Sequence, residues 1–322
     1  MICSASRWAT GPVRAVLPTA TTILTITARA TRSMVTVPLS HTVHAPPTGE
    51  PAMGDPVLIL HGLFGSKANW RTMAQTQLPA HLTTPRNVIP VDLRNHGTSP
   101  HTPHMDYASM AADVTQLATS LPTDHATLMG HSLGGRVAMV AAITHPDLFR
   151  RLIVVDVAPC VMPPSTSFVR YLEIMQEIDA ARVHSRRDAH RLMESAVPDI
   201  NLRHFLLTNL VPDPNEPGVM KFRVNLPAIA QFMPTMWKFT LPQHDGKLAP
   251  ANATVYDRPT LFVRGTRSGY IQDAHLDKIK AWFPRSEMVD MDAGHWPHAE
   301  RPTEFAEIVG EWISRTDGEM AG

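Results

Sequence analysis

The chain predicts an α/β fold, a mostly parallel central sheet flanked by helices, with a helical segment inserted between two of the strands. Three features carry this expectation. From Val35 onward, short apolar runs of strand length alternate with amphipathic stretches, as parallel strands joined by crossover helices require. Several runs end in turns bearing glycine, aspartate or histidine, the residue types that gather at the ligand-binding edge of such sheets. From about residue 160 to 245 the rhythm gives way to a Pro- and Met-rich helical pattern without a buried strand.

Taken in order, Val57-Leu58-Ile59-Leu60 reads as a buried strand ending at His61-Gly62. Val88-Ile89-Pro90-Val91 is a second, running into Asp92-Leu93-Arg94-Asn95-His96-Gly97. Thr127–Met129, Leu152–Val155, Thr260–Val263 and Glu287–Val289 follow. Helices are expected over about 69–81, 107–120, 133–144, 273–283 and 302–315. Residues 34–159 and 246–317 would form the core, and residues 160–245 a helical lid over the strand C-termini.

The first 33 residues stand apart. Arg7, Arg14, Arg29 and Arg32 lie among many Thr and Ser, and no acidic residue precedes Glu50. That composition predicts a mitochondrial transit peptide. A secretory signal is the rival, with Ala15 to Ala28 mildly apolar and Ala28-Arg29-Ala30 resembling a cleavage site, but Thr and Pro18 dilute its apolar core. A disordered extension, or an upstream start with Met34 as the working initiator, is the third possibility, which would leave the protein cytoplasmic. Among 322 residues, 43% are apolar, 18% are charged, and the formal net charge is zero. Nothing in that balance points to nucleic acid or an anionic membrane. No apolar run reaches the roughly 20 residues of a membrane-spanning helix. With Cys3 and Cys160 as the only cysteines, a disulfide scaffold is not expected.

The strongest chemical signal is Gly130-His131-Ser132-Leu133-Gly134-Gly135, between a predicted strand and a predicted helix. A sharp strand-to-helix turn forces its central serine into a strained conformation and exposes the hydroxyl at the sheet edge. Small residues at 130 and 134 let strand and helix approach closely. A serine hydroxyl is a weak nucleophile without a base. His295, in Asp292-Ala293-Gly294-His295-Trp296 after the last predicted strand, is the candidate among 17 histidines. His298 reads as a lid contact or surface residue. Two backbone amides should stabilise an oxyanion: Leu133, directly after the nucleophile, and Leu63 in His61-Gly62-Leu63-Phe64-Gly65-Ser66, with Phe64 second.

The acid is harder to place. The loop Arg264-Gly265-Thr266-Arg267-Ser268-Gly269 has no carboxylate before Asp273. Asp156, in Val154-Val155-Asp156-Val157-Ala158-Pro159, ends the strand beside the nucleophile's and could reach the far side of His295. It would fix the tautomer and stabilise the imidazolium. Asp273 is the alternative, and Asp290 or Asp292 could orient His295 locally. His101 and His104 sit three apart without nearby Cys or clustered carboxylates, so a solvated loop is expected rather than a metal site. Trp70, Trp237, Trp282, Trp296 and Trp312 read as core or lid packing. No phosphate loop or dinucleotide fingerprint occurs, so no cofactor is implied.

Several of these motifs together resemble one branch of the α/β-hydrolase superfamily. They are His61-Gly-Leu-Phe-Gly-Ser-Lys-Ala-Asn-Trp70, Asp92-Leu-Arg-Asn-His-Gly-Thr-Ser-Pro-His101 and Ile153-Val-Val-Asp-Val-Ala-Pro159, with Phe205–Leu210 and Phe222–Pro227 in the lid. The branch holds α/β-hydrolase domain-containing protein 11, YbfF-type esterases and fungal mitochondrial ethanol acetyltransferases. The resemblance, over about residues 36–315, implies an acid at Asp156, a compact helical lid and mitochondrial residence for eukaryotic members. The expected activity is hydrolysis of small esters or thioesters, acyl-CoA among them, through an acyl-Ser132 intermediate. An alcohol acetyltransferase using acetyl-CoA and ethanol is the alternative, because the triad is common to both. A non-catalytic binding protein on the same fold is the third, and the intact Ser-Asp-His set argues against it.

Overall fold

The computed structural model describes residues 35–241 and 255–321. The expected transit peptide over 1–33 and the core boundary at 246 lie outside them. Six strands form one sheet: β1 (Val57–Leu60), β2 (Val88–Val91), β3 (Ala126–His131), β4 (Phe149–Val155), β7 (Thr260–Gly265) and β8 (Ser286–Met291). Their order is β2-β1-β3-β4-β7-β8, and every neighbouring pair is parallel. Outside β2, His41 and His44 add single antiparallel bridges to Val91 and Val88.

Successive strand residues face opposite sides, and here both sides are covered. Leu58, Leu60, Leu128, Val154 and Phe262 belong to one apolar cluster. Val57, Ile59, Met129, Ile153, Val155 and Val263 belong to the other. This is why the strands read as continuous apolar runs rather than alternating ones. The first cluster packs under α1 (Tyr107–Ser120) and α2 (Leu133–Thr144), and the second under α9 (Pro302–Ala321). Asp106 caps α1 by accepting from the Ser109 N–H (2.6 Å). α2 is buried from Leu133 through Ile143, as befits a helix between sheet and insertion.

Two expectations are corrected. Residues 69–81 do not form one helix. A 3₁₀ turn at Lys67–Trp70, a π turn at Met73–Gln77 and a second 3₁₀ turn at Pro79–His81 replace it. Pro79 has no N–H to continue an α-helix, and the wider turn, closed by Leu78 N–H to Met73 C=O (2.9 Å), still buries Met73, Ala74 and Leu78. The insertion is also not purely helical. It runs α3 (Thr166–Ala181), α4 (Arg186–Met193), α5 (Ile200–Leu207), then an antiparallel pair, β5 (Leu210–Pro212) and β6 (Met220–Phe222), then α6 (Leu226–Met236). After β7 come α7 (Leu276–Trp282), β8, and a short α8 (Pro297–Glu300) before α9. Among the described residues no helix is long and apolar enough to cross a membrane.

Candidate active site

Ser132 caps α2 at φ 53° and ψ −114°, a left-handed backbone that costs about 1–3 kcal/mol for a residue with a side chain. The surroundings enforce it. A Cβ on Gly130 would lie 2.2 Å from the Gly134 oxygen, and one on Gly134 2.5 Å from the Leu60 oxygen. Only glycine lets the helix start this close to β3 and β1. The Ser132 N–H bonds to Val155 C=O (3.0 Å), and the Asp156 N–H bonds to Val263 C=O (2.9 Å). The parallel ladder thus sets serine and aspartate on adjacent strand ends.

His295 connects them. Its Nδ1 lies 2.7 Å from Asp156 Oδ2 and its Nε2 3.0 Å from Ser132 Oγ. With the Asp156 oxygen accepting, Nδ1–H donates to it, and Nε2 is left as the acceptor facing the Ser132 hydroxyl. The Asp156 side chain is fully buried. The sequence-level alternatives are engaged elsewhere: Asp273 and Asp290 pair with Arg264 at 2.6 Å each, and Asp292 pairs with Arg267 and Arg301.

Three side chains around this line had no sequence signal of their own. Ser268 donates its hydroxyl to Asp156 Oδ2 (2.5 Å), and the Gly265 N–H donates to Oδ1 (3.1 Å). The loop without a carboxylate therefore holds the carboxylate of its neighbour. Tyr270 stacks on His295, ring centroids 3.8 Å apart and 16° from parallel. Burial pushes its phenol up to about 12, so it stays neutral against the imidazole. The third is His131, whose Nε2 donates to the His295 carbonyl (2.7 Å). Burial, then the neighbouring His298 and His295, holds the His131 imidazole well below its usual range.

His298 is no surface residue. It stacks on Trp70 at 4.1 Å, lies 4.6 Å from the His131 ring, and lines the cavity beside Ser132. Trp296 and the buried Trp70 line that cavity too, the buried Trp237 lines a second cavity beside Ser132, and Trp282 and Trp312 are buried packing. His101 Nε2 bonds to the Arg223 carbonyl (2.9 Å), and His104 pairs with Asp106.

The loop after β1 presents Leu63. Neither the Leu63 nor the Leu133 N–H has a partner among the described residues. Phe64, the second donor candidate, is committed: its N–H bonds to His96 Nε2 (3.3 Å). Phe64 itself is left-handed at φ 60°, and its carbonyl accepts from Asn209 Nδ2 (2.6 Å) in the insertion. His96 in turn donates from Nδ1 to the Arg94 carbonyl (3.0 Å). Burial, with His61 beside it, holds the His96 imidazole at about 3, so the acceptor for Phe64 persists at any ordinary pH. His61 repeats the device, accepting from the Leu93 N–H (3.1 Å) and donating to the Gly62 carbonyl (2.8 Å). Two neutral histidines from two strand ends thereby fix the loop that offers Leu63.

Beneath, Asp92 accepts from the Lys67 N–H (2.6 Å), from Lys67 Nζ (2.5 Å) and from the Thr98 N–H (2.9 Å). Burial alone would raise this carboxyl, but the bonds from Lys67 and Thr98 bring it below its usual range.

The fold agrees with the comparisons. A family described as alpha/beta hydrolase fold matches residues 55–302. The chain belongs to the α/β-hydrolase family. An sn-1-specific diacylglycerol lipase of Xenopus laevis, ABHD11, is 36% identical over 266 residues, covering 81% of this chain and 80% of that protein. A Saccharomyces cerevisiae protein named as a probable alcohol acetyltransferase is 36% identical over 272 residues, covering 81% and 77%. Among solved structures, a marine microorganism esterase aligns with TM-score 0.76 and 29% identity over 86% of this chain and all of its own. The α/β-hydrolase fold and the branch that the motifs resemble are therefore those of this chain.

Proposed function

We propose that this α/β-hydrolase cleaves small carboxylic esters or thioesters through an acyl-Ser132 intermediate, with Asp156 and His295 completing the triad. The observation that carries the reading is the continuous hydrogen-bond line from Asp156 through His295 to Ser132, at 2.7 and 3.0 Å. The lipase and esterase named among the similar proteins support an ester as the substrate.

Ser132 Oγ attacks the carbonyl carbon while its proton passes to His295 Nε2. The Leu63 and Leu133 N–H groups meet the oxyanion, helped by the N-terminal dipole of α2. The carbonyl carbon then loses its bond to the leaving oxygen or sulfur, which takes the proton from His295. Water attacks the acyl-serine, gives its proton to the same nitrogen, and the acid leaves as Ser132 regains its hydrogen. In this reading the insertion serves as a lid over this edge, and residues 1–33 act as a mitochondrial transit peptide.

A second reading is an alcohol O-acetyltransferase, in which ethanol replaces water and acetyl-CoA supplies the acyl group. The 36% identity to the yeast protein so named favours it.

The test uses the purified chain. A fluorophosphonate probe should label it, and Ser132→Ala should abolish the label. Undiminished labelling in that variant would remove Ser132 as the nucleophile. Acetyl-CoA is then supplied with and without ethanol while acetate and ethyl acetate are followed. Ethyl acetate as major product selects the transferase, and acetate alone selects the hydrolase.

A further inference from the structure

Four histidines line the cavity of about 250 Å³ beside Ser132: His61, His131, His295 and His298. Three of them are committed. His61 bonds to the Leu93 N–H and the Gly62 carbonyl, His131 to the His295 carbonyl, and His295 to Asp156 and Ser132. The His298 ring makes no hydrogen bond among the described residues, and its Nδ1 is buried without a partner. A buried polar group in that state calls for an explanation.

The ring is nonetheless firmly placed. It lies 10° from parallel on Trp70 at 4.1 Å, and Phe305 meets it edge-on at 6.0 Å. The His131 ring stands between the two imidazoles, 4.8 Å from His295 and 4.6 Å from His298. Glu300, on the same short helix α8, accepts from the Gly294 N–H (2.9 Å) and the Trp296 N–H (3.3 Å). Those two residues flank His295, so the backbone of 294–300 moves as one piece. His298 is therefore oriented before any ligand arrives.

Burial, then the nearby His295, holds the His298 imidazole at about 3. At ordinary pH the ring is neutral, with one N–H and one bare lone pair. Orphaned buried N–H groups are the rarer kind, which puts the hydrogen on Nε2 and the lone pair on the buried Nδ1. Nε2 is the nitrogen left to face the cavity. The wall thus shows a fixed neutral donor for which the described residues supply no acceptor.

The reaction indicates what meets it. His295 Nε2 gives its proton to the leaving oxygen, so the alcohol portion passes along the wall that residues 295–298 form. A donor farther along that wall meets the alcohol portion beyond the leaving oxygen. An ether, hydroxyl or second ester oxygen there completes the hydrogen bond, and a methylene leaves the N–H bare.

We infer that His298 determines specificity: its Nε2–H binds a further oxygen in the alcohol portion, so esters of polyols and glycol ethers are selected over simple alkyl esters. The inference rests on the acyl-Ser132 reading above. It is tested with 2-methoxyethyl against butyl acetate and 3-methoxypropyl against pentyl acetate, pairs in which one oxygen replaces one methylene. Each kcat/KM is divided by the hydroxide-catalysed rate of the same ester, which removes differences in leaving-group reactivity. In the unaltered protein the corrected ratio should favour the ether in at least one pair by about tenfold. His298→Phe keeps a ring on Trp70 without the N–H and should bring that ratio to about one. His298→Gln, which returns a donor near the Nε2 position, should keep part of the preference.

Corrected ratios of about one in the unaltered protein would overturn the inference whether or not the variants fold. So would a preference that His298→Phe leaves intact, or one found only on the acyl side, with ethyl 3-methoxypropanoate over ethyl pentanoate. Hydrolysis that survives Ser132→Ala would instead remove the reading beneath it.

Discussion

The Asp156 oxygen that receives His295 Nδ1–H also receives the Ser268 hydroxyl. A hydrogen bond to a charged group contributes about 1.5–3 kcal/mol, so Ser268→Ala should lower kcat about 10–100-fold. KM should hardly change, because Ser268 positions the acid and leaves substrate contacts alone. Ser268→Thr, which restores the hydroxyl, should recover most of the rate, and a loss confined to KM would count against the assignment. Asp156→Asn should be far more severe, about 10⁴ in kcat, as expected when the acid that sets the tautomer is lost. Asp273→Asn should stay within a few-fold of the parent rate, since its carboxylate is 85% exposed and bonded to Arg264. Rates at saturating ester for the four variants decide between them.

At the scale of elements, one buried ion pair joins the loop after β2 to α1. Arg94 Nε and Nη2 bond to the two Asp113 oxygens at 2.6 and 2.7 Å, and both side chains are within 2% of full burial. Removing one partner leaves an uncompensated charge in the interior, at a cost of about 3–5 kcal/mol. Asp113→Ala should therefore lower the urea-unfolding stability by that amount, and a change under 1 kcal/mol would contradict it. The same loop carries His96, so any activity loss should follow unfolding rather than precede it. Strands and the motif of Ser132 were readable in the sequence because each is a local pattern: a doubly buried run, or a turn whose residues are adjacent. Asp156 was readable by register, as the end of the strand next to the one that carries Ser132. Ser268, Tyr270 and Asn209 were not, because their partners lie 112, 25 and 145 residues away. The pair β5–β6 was missed because three-residue strands carry no period, and the turn at 73–77 because burial of Met73 and Leu78 outweighed α-helical spacing.

At the scale of the whole molecule, three histidines among the described residues are almost wholly buried: His61, His96 and His131. Burial is the first cause of a lowered pKa in each. A histidine depressed in the folded state binds its proton only after unfolding, so the unfolded chain takes up more protons below its own value of about 6.5. Stability is thus complete above that pH and declines as pH falls toward 5, by up to about 1.4 kcal/mol per pH unit for each group so held. Melting temperatures at pH 7.5, 6.0 and 5.0 should fall in that order, and a flat or rising series would refute this. The ladder bonds from the Ser132 and Asp156 amides have a separate consequence for descent. Of the groups proposed to react, Ser132 and Asp156 hang from the central strands, while Phe168, Phe205 and Trp237, which shape the cavities, belong to an insertion joined to the sheet by loops. Mutation can therefore rewrite what enters the site without disturbing how bonds are broken there. A lineage carrying this fold is free to change substrates while inheriting its chemistry intact.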